Sequence, residues 1–265
     1  EAKHHTMKAE MTKAISGAHL RKTLINDQPY HGFVEGEGFK LHHGDCVNVA
    51  TKMESNSVGF SVYSPPFSNL YIYSDSEYDM GNSADDGQFM EHYSYLAEEL
   101  YRITKPGRLT AIHCKDLPMY KGRDGAAGLR DFPGEIIKMY ESKGWQYHSR
   151  VTIWKDPVIE MQRTKNHGLL YKQLCKDSAA SRQGMADYMI VMRKWDDEEQ
   201  WESVTRDGGE RFFDYIGSSA HAPTAKDLVR ARNDKERERL YSIAVWQRYA
   251  SPVWFDIDQT DVLNY

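Results

Sequence analysis

The sequence is poor in cysteine and contains no long apolar run. Its 265 residues include three cysteines, Cys46, Cys114 and Cys175, and none of them forms a CxxC pair. This count argues against a disulfide framework and against a cysteine zinc site, so we expect a reducing compartment. No stretch of about 18 apolar residues occurs, which argues against a membrane-spanning helix.

An excess of positive charge is missing as well. The chain has 34 Lys and Arg against 39 Asp and Glu, a formal net charge of −5 at pH 7. This balance excludes a wholly basic nucleic-acid coat, although it allows a local basic face. Hydrophobic residues make up 40% and charged residues 28%, which is typical of a globular protein of one large domain, with or without an attachment.

From residue 39 onward, short apolar runs alternate with helical periodicity. We predict strands at 39–45, 57–63, 108–114, 145–154 and 187–193, and helices at 46–53, 88–104 and 132–143. This alternation predicts an α/β fold with a largely parallel sheet. No helical pattern separates the last two strands, so one of them is expected to run antiparallel. Residues 7–24 also favour a helix.

A glycine-rich stretch at 32–38 invites comparison with a nucleotide-binding loop. It precedes a strand, however, whereas a nucleotide-binding glycine loop follows a strand and opens a helix. We therefore predict a hairpin or linker at 32–38.

The strongest chemical signal is Ser64-Pro65-Pro66-Phe67, directly after the apolar strand at 57–63. The carboxyl end of a parallel strand is where α/β folds bind ligands. Two prolines fix φ and donate no backbone hydrogen bonds, so the turn is rigid. The Ser64 hydroxyl can accept hydrogen bonds from an exocyclic amine, and Phe67 offers a flat face for stacking. A strand-ending turn with a packed phenylalanine is the structural alternative.

This motif resembles the catalytic motif of amino-group DNA methyltransferases, written (Asp/Asn/Ser)-Pro-Pro-(Tyr/Phe/Trp). The stretches 41–46, 103–107 and 145–154 are similar to elements of the β-type order of that family, and 176–184 resembles phage-type members. The resemblance covers residues 39–195 and implies a Rossmann-like S-adenosylmethionine-dependent methyltransferase sheet. Serine at the first motif position is commoner in cytosine-N4 enzymes, so cytosine N4 is favoured over adenine N6.

The resemblance also implies a mechanism and a cofactor contact. The target base leaves the duplex stack, because its amine is otherwise paired. Ser64 and the Pro65 carbonyl then hold the amine while it attacks the methyl group of S-adenosylmethionine, with Pro66 stiffening the turn and Phe67 stacking on the base. Cys46 and Cys114 are interpreted as small buried residues. Asp45 is implied to bind the adenine amine of the methyl donor; a turn aspartate after Gly44 is an equal alternative.

A basic stretch follows the predicted catalytic strands. Residues 143–182 hold eight basic and three acidic residues with tyrosines and tryptophans interleaved. We predict a face that contacts DNA phosphates, with a solvated surface as the alternative. The candidate residues are Arg163, Lys165, Lys172, Lys176 and Arg182, together with Tyr71 and Tyr73 as stacking or wedge residues in the loop at 69–87.

The sequence departs from the family after residue 195. A target-recognition region, a Phe-x-Gly-x-Gly cofactor loop and an acidic residue on the next strand should follow, but the loop and its strand are absent. We therefore expect an N-terminal extension at 1–38, a catalytic core at 39–195 and a truncated recognition region at 196–265. Completion of the cofactor site by a second chain or a homodimer, and an inactive chain, are the other interpretations.

The combined expectation is a DNA methyltransferase of bacterial or phage origin that works in the cytoplasm on double-stranded DNA. Its role would be modification, as in restriction–modification, or host evasion. Methylation of RNA or of a protein glutamine is a second enzymatic interpretation, which Ser64 disfavours because such motifs usually begin with asparagine. A nucleic-acid-binding module that has lost catalysis is the non-enzymatic alternative.

Overall fold

The chain alternates strands and helices around a mixed β-sheet. The computed structural model describes residues 30–68, 79–164, 175, 184–195, 233, 235–236, 239–240, 246, 250–255 and 257. The elements are β1 (Tyr30–Gly36), β2 (Phe39–Gly44), α1 (Cys46–Thr51), β3 (Val58–Tyr63), α2 (Asp86–Ile103), β4 (Thr104–Lys115), β5 (Leu117–Met119), α3 (Lys121–Asp124), β6 (Gly128–Arg130), α4 (Phe132–Ser142), β7 (Trp145–Ile153), α5 (Pro157–Thr164), β8 (Asp187–Lys194) and β9 (Val253–Trp254). None of the helices in these ranges is long and apolar enough to cross a membrane.

The main sheet has five strands in the order β3-β4-β8-β7-β9. β3 runs parallel to β4 and β7 runs parallel to β9, whereas β8 is antiparallel to both of its neighbours. Four strands therefore end at the same edge of the sheet, and β8 begins there. We call this edge the carboxyl edge. The topology confirms the expected α/β class with a Rossmann-like alternation, and the reversed strand is β8.

Helix α2 forms because its sequence combines a cap with an apolar stripe. The Asp85 carboxylate accepts a hydrogen bond of 2.8 Å from Gln88 N, and Asp86 and Arg102 place charges that suit the helix dipole at the two ends. One face is buried at helical spacing. The buried residues of that face are Phe89, Tyr93, Leu96, Ala97, Leu100 and Ile103.

Helix α4 begins and ends at equally clear signals. Asp131 accepts a hydrogen bond of 2.8 Å from Gly134 N, and Pro133 occupies the first turn, where its missing N–H costs nothing. The helix stops before Gly144, whose φ of 92° few other residues adopt. α2 and α4 pack on the same face of the sheet and enclose one apolar core, which includes Ile112, Cys114, Ile190 and Met192.

The N-terminal strands differ in part from expectation. β1 and β2 form an antiparallel two-stranded hairpin, which confirms the hairpin predicted at 32–38. The strand predicted at 39–45 was placed in the main parallel sheet, and this was wrong. β2 pairs with β1 and not with a strand of the main sheet, because the connection of two residues between them favours an antiparallel neighbour over a crossover.

The connection between β7 and β8 holds a helix that the sequence analysis missed. α5 begins after Asp156, whose Oδ1 accepts hydrogen bonds from Val158 N and Ile159 N at 2.8 and 3.1 Å. The Asp156-Pro157 pair is a start signal that could have revealed it. The expected antiparallel strand is nevertheless present as β8.

Two residues from the region assigned to target recognition belong to the main sheet. β9 pairs with β7, and Trp154 N donates to Trp254 O at 2.9 Å. The helix expected near residues 7–24 lies outside the described residues.

Cys114 and Cys46 differ in burial. Cys114 is buried as expected, and burial raises the pKa of its thiol to about 12. The expectation that Cys46 is buried was wrong: Cys46 is exposed at the first position of α1.

Candidate active site at the carboxyl edge

The end of β3 is anchored by hydroxyl groups beneath the motif. Ser61 Oγ donates to Thr110 Oγ1 on β4 at 2.8 Å. The Tyr63 hydroxyl lies 2.7 Å from that of Tyr93 and is hydrogen-bonded to that of Tyr140. Burial raises the pKa of both Tyr63 and Tyr93 well above the ordinary tyrosine value, so these hydroxyls stay neutral. The chain therefore enters the motif from a fixed position.

Ser64 to Phe67 form a turn with one exposed hydroxyl. Pro65 is buried, Pro66 and Phe67 are half-buried, and Ser64 is exposed. The Phe67 ring packs against the apolar core, and its centroid lies 6.2 Å from that of His113 at an interplanar angle of 56°. The motif thus presents a polar atom beside an aromatic ring, and the packing role of Phe67 is real.

A second anchor follows the motif. Ser68 is buried with a φ of 54°, a left-handed conformation that is uncommon outside glycine. Its hydroxyl donates to Asp86 at the start of α2, and Asp86 is paired with Arg130. Arg130 Nε also donates to Glu135 Oε1 at 2.8 Å. Sequence reasoning missed this chain of contacts, which fixes the outgoing end of the motif.

The exposed hydroxyl of Ser64 contacts His113 of β4. Its Oγ lies 3.2 Å from His113 Nδ1 and 3.3 Å from the His113 carbonyl oxygen. On the other side of the ring, Nε2 lies 2.9 Å from Asp187 Oδ2. The three side chains form a continuous series of hydrogen bonds from the motif into the sheet.

Asp187 is held in its charged form by two cationic or donor groups. Lys155 Nζ lies 2.9 Å from the same Oδ2 atom that contacts His113. Burial raises the pKa of Asp187, but the hydrogen bonds from His113 and Lys155 outweigh burial and leave the pKa below its ordinary value of 3.8. Asp187 Oδ1 is buried and has no hydrogen-bond partner among the described residues.

The topology of the sheet explains why these four side chains meet. Ser64 follows β3, His113 lies near the end of β4, Asp187 begins β8 and Lys155 follows β7. These strands are consecutive neighbours in the sheet, and all four positions lie at the carboxyl edge. Of these four side chains, the sequence analysis predicted only Ser64 as a site residue. No local signal marks His113 or Asp187, because their contact depends on the strand order.

Asp45 has a structural role that the sequence allowed. Its Oδ1 accepts a hydrogen bond of 2.7 Å from Asn48 N and so caps α1. Its other carboxylate oxygen makes no hydrogen bond that the described residues show. Within the same part of the chain, no group of three His, Cys, Asp or Glu residues could hold a metal ion.

Most candidate DNA contacts lie beyond the described residues. These are Tyr71, Tyr73, Lys165, Lys172, Lys176 and Arg182. Arg163 lies in α5, where only its backbone is described.

The described members of the basic stretch are already engaged inside the protein. Lys143 pairs with Glu98 at 3.0 Å, Arg150 lies over the Tyr188 ring at 5.2 Å, and Lys155 pairs with Asp187. The basic excess of 143–182 therefore overstates the charge available to DNA from these three positions.

The two tryptophans of the basic stretch differ in burial. Trp145 is buried, and its Nε1 donates to Ala97 O at 3.0 Å, which removes it as a DNA contact. Trp154 is exposed at the carboxyl edge, and its ring lies 6.4 Å from that of the exposed Phe255.

The chain resembles known proteins in structure but has no match by sequence. No protein-family model and no curated protein matches the sequence. A protein from Thermus thermophilus, provisionally designated a DNA modification methylase and solved with S-adenosyl-L-methionine, has 17% identity and a TM-score of 0.46, over 81% of this chain and 65% of that one. The cytosine-N4-specific PvuII DNA methyltransferase has 14% identity and a TM-score of 0.37, over 57% and 48%. The chain thus spans less than two thirds of either protein.

Proposed function

We propose that the chain is the catalytic part of an S-adenosylmethionine-dependent DNA methyltransferase that modifies an exocyclic amine, with cytosine N4 as the preferred target. The observation that carries this proposal is the exposed Ser64 hydroxyl, held at the carboxyl edge next to Phe67. Adenine N6 is the alternative target, and a DNA-binding module of the same fold is the alternative function.

The motif suits an amine on a flat ring. Ser64 Oγ and the Pro65 carbonyl are acceptors that can each take one amine hydrogen, which turns the nitrogen lone pair out of conjugation with the ring. Phe67 stacks on the face of the base. A base inside the duplex cannot reach these groups, so it must be flipped out of the stack. The bound donor supplies an electrophilic methyl group, and the protein contributes positioning and exclusion of water.

Asp45 is the described residue that fits the methyl donor. An adenine amine needs an acceptor, and the Asp45 oxygen not used by Asn48 N is one. An Asp45→Asn variant keeps the cap, because asparagine caps helices as well as aspartate, but it loses the charge. We expect weaker binding of S-adenosylmethionine in calorimetry with unchanged stability of the fold.

The proposed partner is double-stranded DNA. The exposed Trp154 and Phe255 offer stacking surfaces at the carboxyl edge, and Arg163, Lys165, Lys172, Lys176 and Arg182 are proposed to contact phosphates. Tyr71 and Tyr73 are proposed to stabilise the flipped base or the gap it leaves. We place this activity in the cytoplasm of a bacterial cell or of a phage-infected host, as DNA modification.

The open edge of β3 supports completion of the cofactor site by a further strand. β3 pairs with β4 on one side, and no described residue pairs with its other side. Phe60 and Val62 on this strand are 57% and 61% exposed, which is unusual for large apolar side chains. We propose that a second chain, or a second copy, covers them. Analytical ultracentrifugation tests the homodimer: self-association supports it, and a monomer contradicts it.

The activity is tested by mass spectrometry of nucleosides. The chain is incubated with duplex DNA and S-adenosylmethionine that carries a deuterated methyl group, and the DNA is digested. We expect labelled N4-methylcytosine; labelled N6-methyladenine would replace the preferred target by the alternative one.

Two variants and one control assign the activity to the motif. Ser64→Ala and Phe67→Ala should lose methyl transfer by at least about 100-fold while DNA binding is largely kept. Ser142→Ala, which removes an exposed hydroxyl bonded only to Met139 O, should transfer at the normal rate. DNA binding without any labelled nucleoside, under conditions in which S-adenosylmethionine is bound, would instead support the binding module.

A further inference from the structure

We propose that Ser64, His113 and Asp187 form a proton relay that removes the proton from the amine after it has been methylated. The relay deepens the proposed function and rests on it, since it assumes that an amine is held at Ser64. His113 and Asp187 act through Ser64 and are therefore positioning residues.

The contacts define which ring nitrogen of His113 carries the proton. An ionised carboxylate can only accept hydrogen bonds, so the Asp187 Oδ2 atom at 2.9 Å selects the tautomer with hydrogen on Nε2. Nδ1 is then an acceptor, 3.2 Å from Ser64 Oγ. The Ser64 hydroxyl donates toward β4, to Nδ1 or to the His113 carbonyl, and its lone pairs remain for the amine.

Lys155 stabilises this arrangement from the far side. It shares Oδ2 of Asp187 with His113 and follows the end of β7. A neutral aspartic acid could donate to Nε2 and reverse the tautomer. By keeping Asp187 charged, Lys155 therefore preserves the acceptor character of Nδ1.

The relay completes the atom balance of the transfer. The amine nitrogen forms a bond to the methyl carbon of a sulfonium donor, the carbon–sulfur bond breaks, and its electron pair goes to sulfur. The nitrogen then carries one hydrogen too many. Ser64 Oγ accepts that proton as its own hydroxyl proton moves to His113 Nδ1, and the resulting imidazolium is paired with Asp187. The His113 side chain is 31% exposed, so the proton can pass from it to water.

A serine, a histidine and an aspartate in series also occur in hydrolases that use serine as a nucleophile. Such enzymes need backbone N–H donors for the oxyanion, commonly including the residue after the serine. Here the two residues after Ser64 are Pro65 and Pro66, which have no N–H to offer. The turn presents carbonyl acceptors instead, and this favours transfer of a proton from an amine over attack on a carbonyl.

The tautomer can be measured without any methyl transfer. In the chain labelled with ¹⁵N-histidine, the His113 signals are assigned by their loss in His113→Gln. We expect a protonated Nε2 and an unprotonated Nδ1. In Asp187→Asn the amide can donate to Nε2, so the two states should exchange. His148→Gln, a change at an exposed histidine, should leave the His113 signals unchanged. Hydrogen on Nδ1 in the unmodified chain, or no response to Asp187→Asn, would overturn the relay.

Kinetics provide the second readout. Asp187→Asn should lower kcat for methyl transfer by about 100-fold, the lower range for general acid–base assistance, with KM for DNA changed less than about twofold. Asp187→Glu should recover part of the loss. An unchanged kcat would refute the relay even if the tautomer is as expected. Absence of transfer by an unmodified chain that binds both DNA and S-adenosylmethionine would refute the proposed function, and the NMR result would still decide whether the hydrogen-bond series exists.

Discussion

Tyr63 and Ser64 are neighbours in the chain, but their hydroxyl groups serve opposite sides of the sheet. The Tyr63 hydroxyl is buried with those of Tyr93 and Tyr140, whereas Ser64 Oγ is exposed and contacts His113. Successive side chains of an extended chain point to opposite faces, so Tyr63 fixes the end of β3 on one side while Ser64 faces the other. Disturbing the buried hydroxyls should therefore loosen the motif without touching it.

Replacing Tyr63 with Phe tests this anchor. The change leaves the buried hydroxyls of Tyr93 and Tyr140 with one partner fewer, and we expect a loss of about 1–3 kcal/mol in the free energy of unfolding in urea. Tyr95→Phe is the matched control, because that hydroxyl is exposed and only 3.3 Å from Glu91 Oε1. The control should change stability by less than about 0.5 kcal/mol. Equal effects in the two variants would contradict the anchoring role.

Asp187 should make the free energy of unfolding depend on pH in the acid range. Its pKa is lower in the folded chain than its ordinary value of 3.8, so the unfolded chain binds the proton more readily. The stability that Asp187 contributes is fully present above pH 3.8 and is lost as the pH falls below that value toward the lowered pKa. The difference in unfolding free energy between the unmodified chain and Asp187→Asn should shrink over this acid window. A constant difference would show that Asp187 keeps its ordinary pKa.

The three thiols should differ in reactivity. Cys114 is buried with a pKa of about 12, so almost none of it is thiolate near neutral pH. Cys46 and Cys175 are exposed, and partial burial and the charge of Asp45 raise the pKa of Cys46, so Cys46 should react more slowly than an ordinary exposed thiol. A thiol reagent should modify two cysteines in the folded chain and the third only after denaturation. Peptide mass spectrometry identifies the protected residue, and early modification of Cys114 would be inconsistent with this core.

Gly184 should resist substitution. A Cβ atom at this position would lie 2.8 Å from the Pro157 Cα atom, so the backbone of α5 would have to move. We expect Gly184→Ala to lower the unfolding free energy by about 1–3 kcal/mol. Gly122→Ala, in α3 with nothing within 4 Å of the added atom, should be neutral or slightly stabilising. Thermal denaturation of both variants measures the contrast, which would vanish if the approach to Pro157 were unimportant.

The basic stretch predicts a salt dependence of DNA binding. Lys172→Ala and Lys176→Ala should weaken binding uniformly across DNA sequences and reduce the slope of log affinity against log salt by about 1 each. Lys138→Ala, an exposed change on α4, should leave the slope unchanged. Fluorescence anisotropy over a range of salt concentrations tests this, and an unaltered slope in the first two variants would argue against phosphate contacts there.

Local patterns predicted the elements of the sheet well. The strand expected at 57–63 is β3, and the helix expected at 132–143 is α4 within one residue at its end. These elements carry strong signals of their own: an apolar run closed by prolines, and a capped amphipathic stripe closed by glycine. The helix expected at 88–104 is α2, which ends at Ile103 and passes directly into β4, because strand pairing with β3 begins at Thr104.

Long-range pairing was beyond local patterns. The assignment of β2 to a hairpin outside the main sheet and the addition of β9 beside β7 both depend on which strands meet. The candidate site likewise depends on long-range pairing that local patterns do not predict. Ser64 stands in a motif that can be recognised by itself, whereas the contacts of His113 and Asp187 come from a strand order that brings together residues 49 and 74 positions apart.

The position of Asp187, at the start of the reversed strand β8, is determined within the sheet. Asp187 is the first residue of this strand and is paired on both sides, with Lys115 and with Ile153. Its position is therefore set by its neighbours in the sheet and not by the length of the chain that leads to it. The register of the Asp187 carboxylate should therefore tolerate changes in the sequence of residues 165–183. The two neighbouring strands thus hold this carboxylate at the carboxyl edge independently of the segment that precedes it.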